Sequence, residues 1–211
     1  MVKCSSALLG IESVSRIRLL RLIHQALPIS LLPDPFFMKL EQRIAPIQMI
    51  LCDVDGVLTD GRISFDNQGI EIKSFHARDG MGIKLWQKAG GQFGLLTART
   101  SHIVKVRAAE LGVELVRQGF SDKLPIAQQI MKAHGLTPEQ ICYVGDDLTD
   151  LQIISHVGLG VAVADAATEV REAAAWVTNQ PGGFGAVREL IELILKTQDR
   201  WTDVIRKFRG P

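Results

Sequence analysis

From Ile47 onward the chain alternates short apolar runs with stretches of helical periodicity. Met49-Ile50-Leu51-Cys52, Phe93-Gly94-Leu95-Leu96, Ile141-Cys142-Tyr143-Val144 and Leu159-Gly160-Val161-Ala162-Val163 are near-continuous apolar runs, as expected of strands buried on both faces. Helical patterns lie between them near 80–90, 101–111, 123–134 and 148–155, the third closed by Gly135. Thr137-Pro138-Glu139-Gln140 reads as a helix start, with Thr as N-cap and Pro at the first helical position. The next strand follows so closely that only one turn fits. Strands alternating with helices imply an α/β fold: a Rossmann-like, doubly wound parallel sheet with helices on both faces. One segment departs from the alternation. Ile63 and Phe65, then Ile70, Ile72 and Phe75, alternate with polar residues around Asp66-Asn67-Gln68-Gly69, which predicts a β-hairpin flap with a four-residue loop. A further helix begins near Ala186.

The first 46 residues follow a different pattern. Leu8, Ile11, Val14, Ile17, Leu20 and Ile23 space out a helical stripe beside Arg16, Arg18 and Arg21, before Pro28, Pro33 and Pro35 interrupt it. No apolar run of signal-peptide length precedes a small-residue cleavage site. The stretch is read as a weakly structured extension (1–46), with Met38 an alternative start, ahead of one domain at 47–198 and a C-terminal tail at 199–211. The 211 residues are 46% hydrophobic and 22% charged, enough for one proper core. Net charge is +1, but residues 1–46 hold six Lys and Arg against three acids and the remainder 18 against 20. A slightly acidic body excludes a general nucleic-acid surface. Cys4, Cys52 and Cys142 are too scattered for a disulfide framework or a zinc site, so a reducing, cytoplasmic setting is expected. The uncharged stretch Leu151–Ala164 is shorter than the roughly 20 residues a membrane helix needs, and no span is predicted.

Ligands of a parallel sheet bind outside the carboxyl ends of its strands. Three of the apolar runs end there in reactive groups: Asp53 and Asp55 after the first, Thr97 after the second, and Asp146, Asp147 and Asp150 after the third. Five carboxylates at one edge repel one another unless a cation is present, and hard oxygen ligands of this kind suit Mg2+. A carboxylate such as Asp53 can serve as a nucleophile, and Asp55, two residues on, can serve as an acid and base. Thr97 reads alternatively as a helix N-cap, a role Ser101 could fill, and Asp150 reads equally as a helix cap.

Asp53-Val54-Asp55-Gly56-Val57 resembles the first motif of the haloacid dehalogenase phosphatases, Thr97 the second, Lys123 the third and Gly145-Asp146-Asp147-Leu148-Thr149-Asp150 the fourth. Asp53 to Gly61, Arg78-Asp79-Gly80-Met81-Gly82, Ser121-Asp122-Lys123-Leu124 and Val161 to Ala166 are similar to a branch that acts on sugar-acid phosphates of lipopolysaccharide synthesis, and the likeness spans about 47–195. It implies a metal held by the Asp53 carboxylate, the backbone carbonyl of Asp55 and Asp146, supported by Asp147 or Asp150. It implies too that Thr97 and Lys123 hold the phosphoryl oxygens. Arg78 is the candidate partner of the sugar-acid carboxylate. Only 43 residues separate Asp53 from Thr97 and 25 separate Thr97 from Lys123, so no cap domain fits. A site without a cap is open unless a neighbouring subunit covers it, and the resemblance implies a homotetramer whose hairpins meet and whose tails reach the adjacent site. Two positions depart from the family pattern. Phe184, within Gly182-Gly183-Phe184-Gly185, stands where a basic residue is common, and Ala98 stands where Gly is common after the Thr. Three expectations stay open: a phosphatase for an eight-carbon sugar-acid phosphate, one for a nine-carbon sialic-type 9-phosphate, and a non-catalytic assembly module of the same fold.

Overall fold

The computed structural model describes residues 39–209, and the helical stripe expected between Leu8 and Ile23 lies outside the described residues. Helix α1 (Leu40–Ile44) leads into strand β1 (Met49–Cys52), and a hairpin of β2 (Ser64–Phe65) and β3 (Glu71–Ile72) follows. Next come α2 (Ala77–Lys88), β4 (Gln92–Thr97), α3 (His102–Leu111), β5 (Leu115–Gln118) and α4 (Lys123–His134). After a single 3-10 turn at Pro138–Gln140 come β6 (Ile141–Gly145), a second 3-10 turn at Leu148–Asp150, α5 (Leu151–His156) and β7 (Leu159–Ala162). The chain ends with α6 (Thr168–Ala173), β8 (Trp176–Val177), α7 (Ala186–Thr197) and α8 (Trp201–Arg209).

The six long-range strands form one sheet in the order β5-β4-β1-β6-β7-β8, every neighbouring pair parallel. From β1 the chain steps outward through β4 to β5, then crosses back to β6 and steps outward the other way. Right-handed crossovers in opposite directions put helices on opposite faces: α2 packs on α3 and α7, while α4 packs on α5 and α5 on α6. The expected doubly wound sheet is what the structure shows. Every residue of β1, β6 and β7 is buried, which is why these strands read as unbroken apolar runs. Edge strands β5 and β8 are half-buried and mixed in composition, and the apolar pattern does not reveal them.

The turn at Thr137 is capped as expected, its N–H bonded by the Gln140 side chain at 2.9 Å. The hairpin also forms around Asp66–Gly69, where Asp66 Oδ1 accepts from the N–H groups of Gln68 and Ile70, both at 2.8 Å. Of its apolar residues only Phe75 packs against the core, while Ile63, Phe65, Ile70 and Ile72 are 43%, 57%, 57% and 52% exposed. At the other end, Ile44 is fully buried, and Gln198 Nε2 donates to the carbonyls of Ile44 and Ile47. The last residues of the expected extension are thus stitched onto the domain, and helix α8 occupies most of the expected tail. Among the described residues no helix is long and apolar enough to cross a membrane.

Candidate active site

The register sets the site. Cys52 pairs with Leu95 on one side and Val144 on the other, so Asp53 leaves the sheet level with the ends of β4 and β6. The direction of chain winding reverses between β1 and β6, the position where open α/β sheets bind ligands. Asp53 and Asp146 stand on either side of it.

Asp53 is held from three directions. Its N–H donates to the Val144 carbonyl at 3.0 Å, its Oδ1 accepts from Val54 N at 2.7 Å, and its Oδ2 lies 2.9 Å from Lys123 Nζ. The loop after it closes on itself. The N–H groups of Leu58 and Thr59 return to the Val54 carbonyl, and the buried Thr59 hydroxyl accepts from Gly56 N and Gly61 N. Gly56 has φ +88°, and a Cβ there would overlap the Asp146 carboxylate. Only glycine lets the first loop lie this close to the fourth motif.

Lys123, the first residue of α4, is 1% exposed and bridges Asp53 Oδ2 and Asp150 Oδ1, the latter at 2.6 Å. Asp150 is completely buried. Its Oδ1 also accepts from the Tyr143 hydroxyl at 2.6 Å, and its Oδ2 accepts from the N–H groups of Asp146 and Asp147 at 2.9 and 3.3 Å. Asp150 therefore makes no cap bond to α5, and its lone pairs tie Lys123 to the fourth-motif loop. The exposed Asp147 turns its carboxylate onto the N–H of Leu148 at 2.8 Å. Thr97 is buried at the end of β4, its hydroxyl accepting from Arg99 N at 3.3 Å. The N-cap of α3 is Ser101, whose hydroxyl bonds to Glu71 instead of to its own helix.

Burial and the Asp150 charge push the Asp53 carboxyl up to about 6, against the opposing pull of Lys123. Burial together with the Asp53 and Asp150 charges pushes Asp146 up to about 8. Burial alone would depress the Lys123 ammonium, but the two carboxylates hold it above its usual value. With all three carboxylates ionised, the cluster carries two more negative charges than Lys123 offsets. Asp53, Asp146 and Asp150 each offer an oxygen within 4.8 Å of the others, and Asp146 Oδ1 is buried without a hydrogen-bond partner. Lys123 pairs directly with Asp53 and Asp150 but not with Asp146, and a divalent oxygen-binding cation beside Asp53 and Asp146 fits the deficit.

Asp55 lies outside this cluster. Its Oδ1 accepts from Lys73 of the hairpin, and its Oδ2 is 3.6 Å from Arg99 Nε. Arg78 is exposed on the first turn of α2 and lines a cleft of about 440 Å³ with Phe184, Gly185 and Arg188. That lining contains none of Asp53, Asp55, Lys123 or Asp146. Asp79, next to Arg78, is 1% exposed and accepts from Gly185 N at 3.2 Å and Arg188 N at 2.8 Å. It caps α7 from a neighbouring helix. The glycines before α7 are not a loose turn: Gly183 N donates to the Val57 carbonyl at 2.9 Å, and Gly182 N donates to Asp165 Oδ1 at 2.8 Å. Sequence reasoning missed Lys73, Glu71, Tyr143 and Asp79 as parts of the site and its support.

The sheet order, the paired aspartates after β1 and the lysine that joins the first of them to the loop after β6 define a class. The chain belongs to the haloacid dehalogenase-like hydrolases, whose family profile matches residues 106–190. It is 43% identical over 159 residues to the 3-deoxy-D-manno-octulosonate 8-phosphate phosphatase of Yersinia pestis, covering 75% of this chain and 85% of that protein. It is 42% identical over 161 residues to the enzyme of the same name from Haemophilus influenzae, covering 76% and 89%. Among solved structures it is similar to the 3-deoxy-D-manno-octulosonate 8-phosphate phosphatase of Moraxella catarrhalis in complex with magnesium, phosphate and the sugar acid. There the TM-score is 0.78 and identity 36%, covering 80% of this chain and 97% of that one.

Proposed function

We propose that this chain is a Mg2+-dependent phosphomonoesterase that hydrolyses 3-deoxy-D-manno-octulosonate 8-phosphate to the free sugar acid and phosphate, a step of lipopolysaccharide sugar synthesis. The observation that carries the reading is Asp53 paired with Lys123 beside Asp146, whose buried Oδ1 has no partner. Asp53 and Asp146 would hold the metal, with the Asp55 carbonyl as a further ligand and Asp147 and Asp150 in support. Bound there, Mg2+ supplies positive charge to the phosphoryl oxygens and favours the ionised form of Asp53.

The chain's own groups account for the remaining steps. A carboxylate oxygen of Asp53 attacks phosphorus in line, the bond to the sugar oxygen breaks, and an aspartyl phosphate forms. Asp55 gives its proton to the departing oxygen, then takes one from the water that attacks the phosphorus and frees Asp53. Lys123 spends two of its three donors on Asp53 and Asp150, and the third is available to a phosphoryl oxygen beside the Thr97 hydroxyl. Arg78 is the candidate for the sugar-acid carboxylate.

Four large apolar side chains exposed on a hairpin this short support a homotetramer in which the hairpins pack together. The buried, unpaired Cys52 and Cys142 are in keeping with a cytoplasmic setting. Steady-state assays on a panel of sugar-acid phosphates test the substrate, and faster turnover of a nine-carbon 9-phosphate would displace the eight-carbon one. Asp53→Asn keeps the shape and loses the attacking charge. It is expected to abolish turnover, and retention of more than about a few per cent of the rate would sink the nucleophile assignment.

A further inference from the structure

The hairpin turns Ile63, Phe65, Ile70 and Ile72 outward and the charges of Glu71 and Lys73 inward. Lys73, directly after β3, has a side chain only 1% exposed. Its ammonium donates to Asp55 Oδ1 and lies 3.4 Å from Glu71 Oε1. Glu71 is fastened from the far side: the Ser101 hydroxyl donates to its Oε2 at 2.5 Å and Arg99 Nη2 to its Oε1 at 3.2 Å. Among the described residues, Asp55 Oδ2 has only the Arg99 guanidinium nearby, at 3.6 Å. The two oxygens of Asp55 are therefore not equivalent.

We propose that Lys73 is the positioning residue for Asp55: its ammonium pins Oδ1, which leaves Oδ2 as the oxygen presented to the leaving group, while Glu71, held by Ser101 and Arg99, pins the ammonium. A carboxylate rotates freely about its terminal torsion, whose wells are broad, and Asp55 sits in a loop without regular structure. One buried donor on one oxygen selects an orientation. Losing it costs alignment at the moment of proton transfer and breaks no bond of the phosphate-binding cluster, since Lys73 pairs with Asp55 and Glu71 and makes no hydrogen bond or ion pair with Asp53, Lys123 or Asp146. The flap and the acid thereby become one mechanical unit, and any displacement of β3 moves the group that aims Asp55. This inference rests on Asp55 as the acid of the proposed reaction.

The test compares Lys73→Met, Glu71→Gln and Asp55→Asn on the sugar-acid phosphate, whose alkoxide leaving group needs a proton, and on p-nitrophenyl phosphate, whose leaving group does not. Because Asp55 also serves the hydrolysis of the shared aspartyl phosphate, selectivity is read in the first turnover: Lys73→Met is expected to slow release of the sugar acid by about 10- to 100-fold there, with the burst of p-nitrophenol and both KM values changed by less than about threefold. Glu71→Gln should give the same selective pattern with a smaller amplitude. Added to Asp55→Asn, Lys73→Met should cause no further loss. If thermal melting shows that Lys73→Met does not fold, Glu71→Gln decides: leaving-group selectivity supports the proposal, and its absence overturns it. Equal losses on both substrates for the Lys73 variant, or a change confined to KM, overturn it while Asp55→Asn remains selective. If Asp55→Asn is itself unselective, the acid assignment and the proposal fall together.

Discussion

The carboxylate cluster and the hairpin both sit at the carboxyl edge of the sheet, yet they are held in opposite ways. Asp53, Lys123 and Asp150 are buried and locked to one another, and Asp53 and Asp150 follow fully buried strands of the core. The hairpin has two residues per strand and four large apolar side chains in solvent. It is anchored inward mainly by the Lys73 and Glu71 ion pairs. The groups assigned to phosphorus are over-determined by a single chain, whereas the group assigned to the leaving oxygen depends on a ribbon too short to be stable alone. Phosphate handling should therefore survive perturbations that abolish selective handling of the sugar.

The largest effect expected comes from the charge that the cluster lacks. Chelation should remove turnover and Mg2+ should restore it, with a pH dependence of definite sign. Asp53 and Asp146 have folded-state values of about 6 and about 8 against 3.8 for the free side chain, so the metal-free protein binds more protons folded than unfolded. The stability this contributes is complete below about pH 4 and is lost as pH rises through about 6 and then about 8. Thermal melting in chelator should thus show a falling Tm over that range, while Mg2+ affinity rises because metal displaces those protons. Calorimetry near neutral pH should detect proton release on Mg2+ binding, and a Tm in chelator that climbs between about pH 5 and 8 would contradict the cluster's electrostatics.

Next in size is Lys123→Met, which strands two buried carboxylates. Turnover of both sugar and aryl phosphates should fall about 1000-fold, and stability should drop by about 3–5 kcal/mol, as for other broken buried ion pairs. Urea unfolding and parallel assays measure both, and unequal losses on the two substrates would break the contrast drawn between cluster and hairpin. Phe65→Asp attacks the other region. It is expected to yield smaller species in sedimentation, with sugar-acid phosphate turnover lowered about tenfold and p-nitrophenyl phosphate turnover nearly unchanged. A monomer with full sugar-acid activity would show that the hairpin serves its own chain alone. The smallest effect is expected from removing residues 1–37, because every motif, and every strand among the described residues, lies beyond them. Activity and sedimentation should stay as in the full chain, and a marked loss in either would make the extension part of the working protein.

Much of this was legible from pattern. Buried parallel strands are apolar throughout, and their ends announce Asp53, Thr97 and Asp146 by position alone. The edge strands were not legible, since Arg117 and Gln118 of β5 break the apolar run and β8 has only two residues. Nor were the partners that join distant segments. Nothing local to Lys73 says that its ammonium folds inward to Asp55, because the alternation around it describes a ribbon with a wet face. Tyr143 reads as one more apolar strand residue, and its bond to Asp150 follows from the turn that brings Asp150 back beneath β6. Asp79 sits in a helical pattern as an ordinary first-turn acid, and its carboxylate caps another helix more than a hundred positions away.

The sheet order also governs when the site can exist. Strand β1 is made early but lies between β4 and β6, and the Asp53 N–H waits for the carbonyl of Val144, about 90 residues further along, a separation that makes closure entropically costly. Non-local parallel pairing of this kind folds slowly. During synthesis a chain that has emerged only as far as α4 carries Asp53, Asp55, Thr97 and Lys123, yet it lacks the strand that aligns Asp53 and the buried carboxylate that anchors Lys123. Such a chain is expected to be inert toward phosphate esters, its chemistry switching on only when β6 and the turn behind it dock.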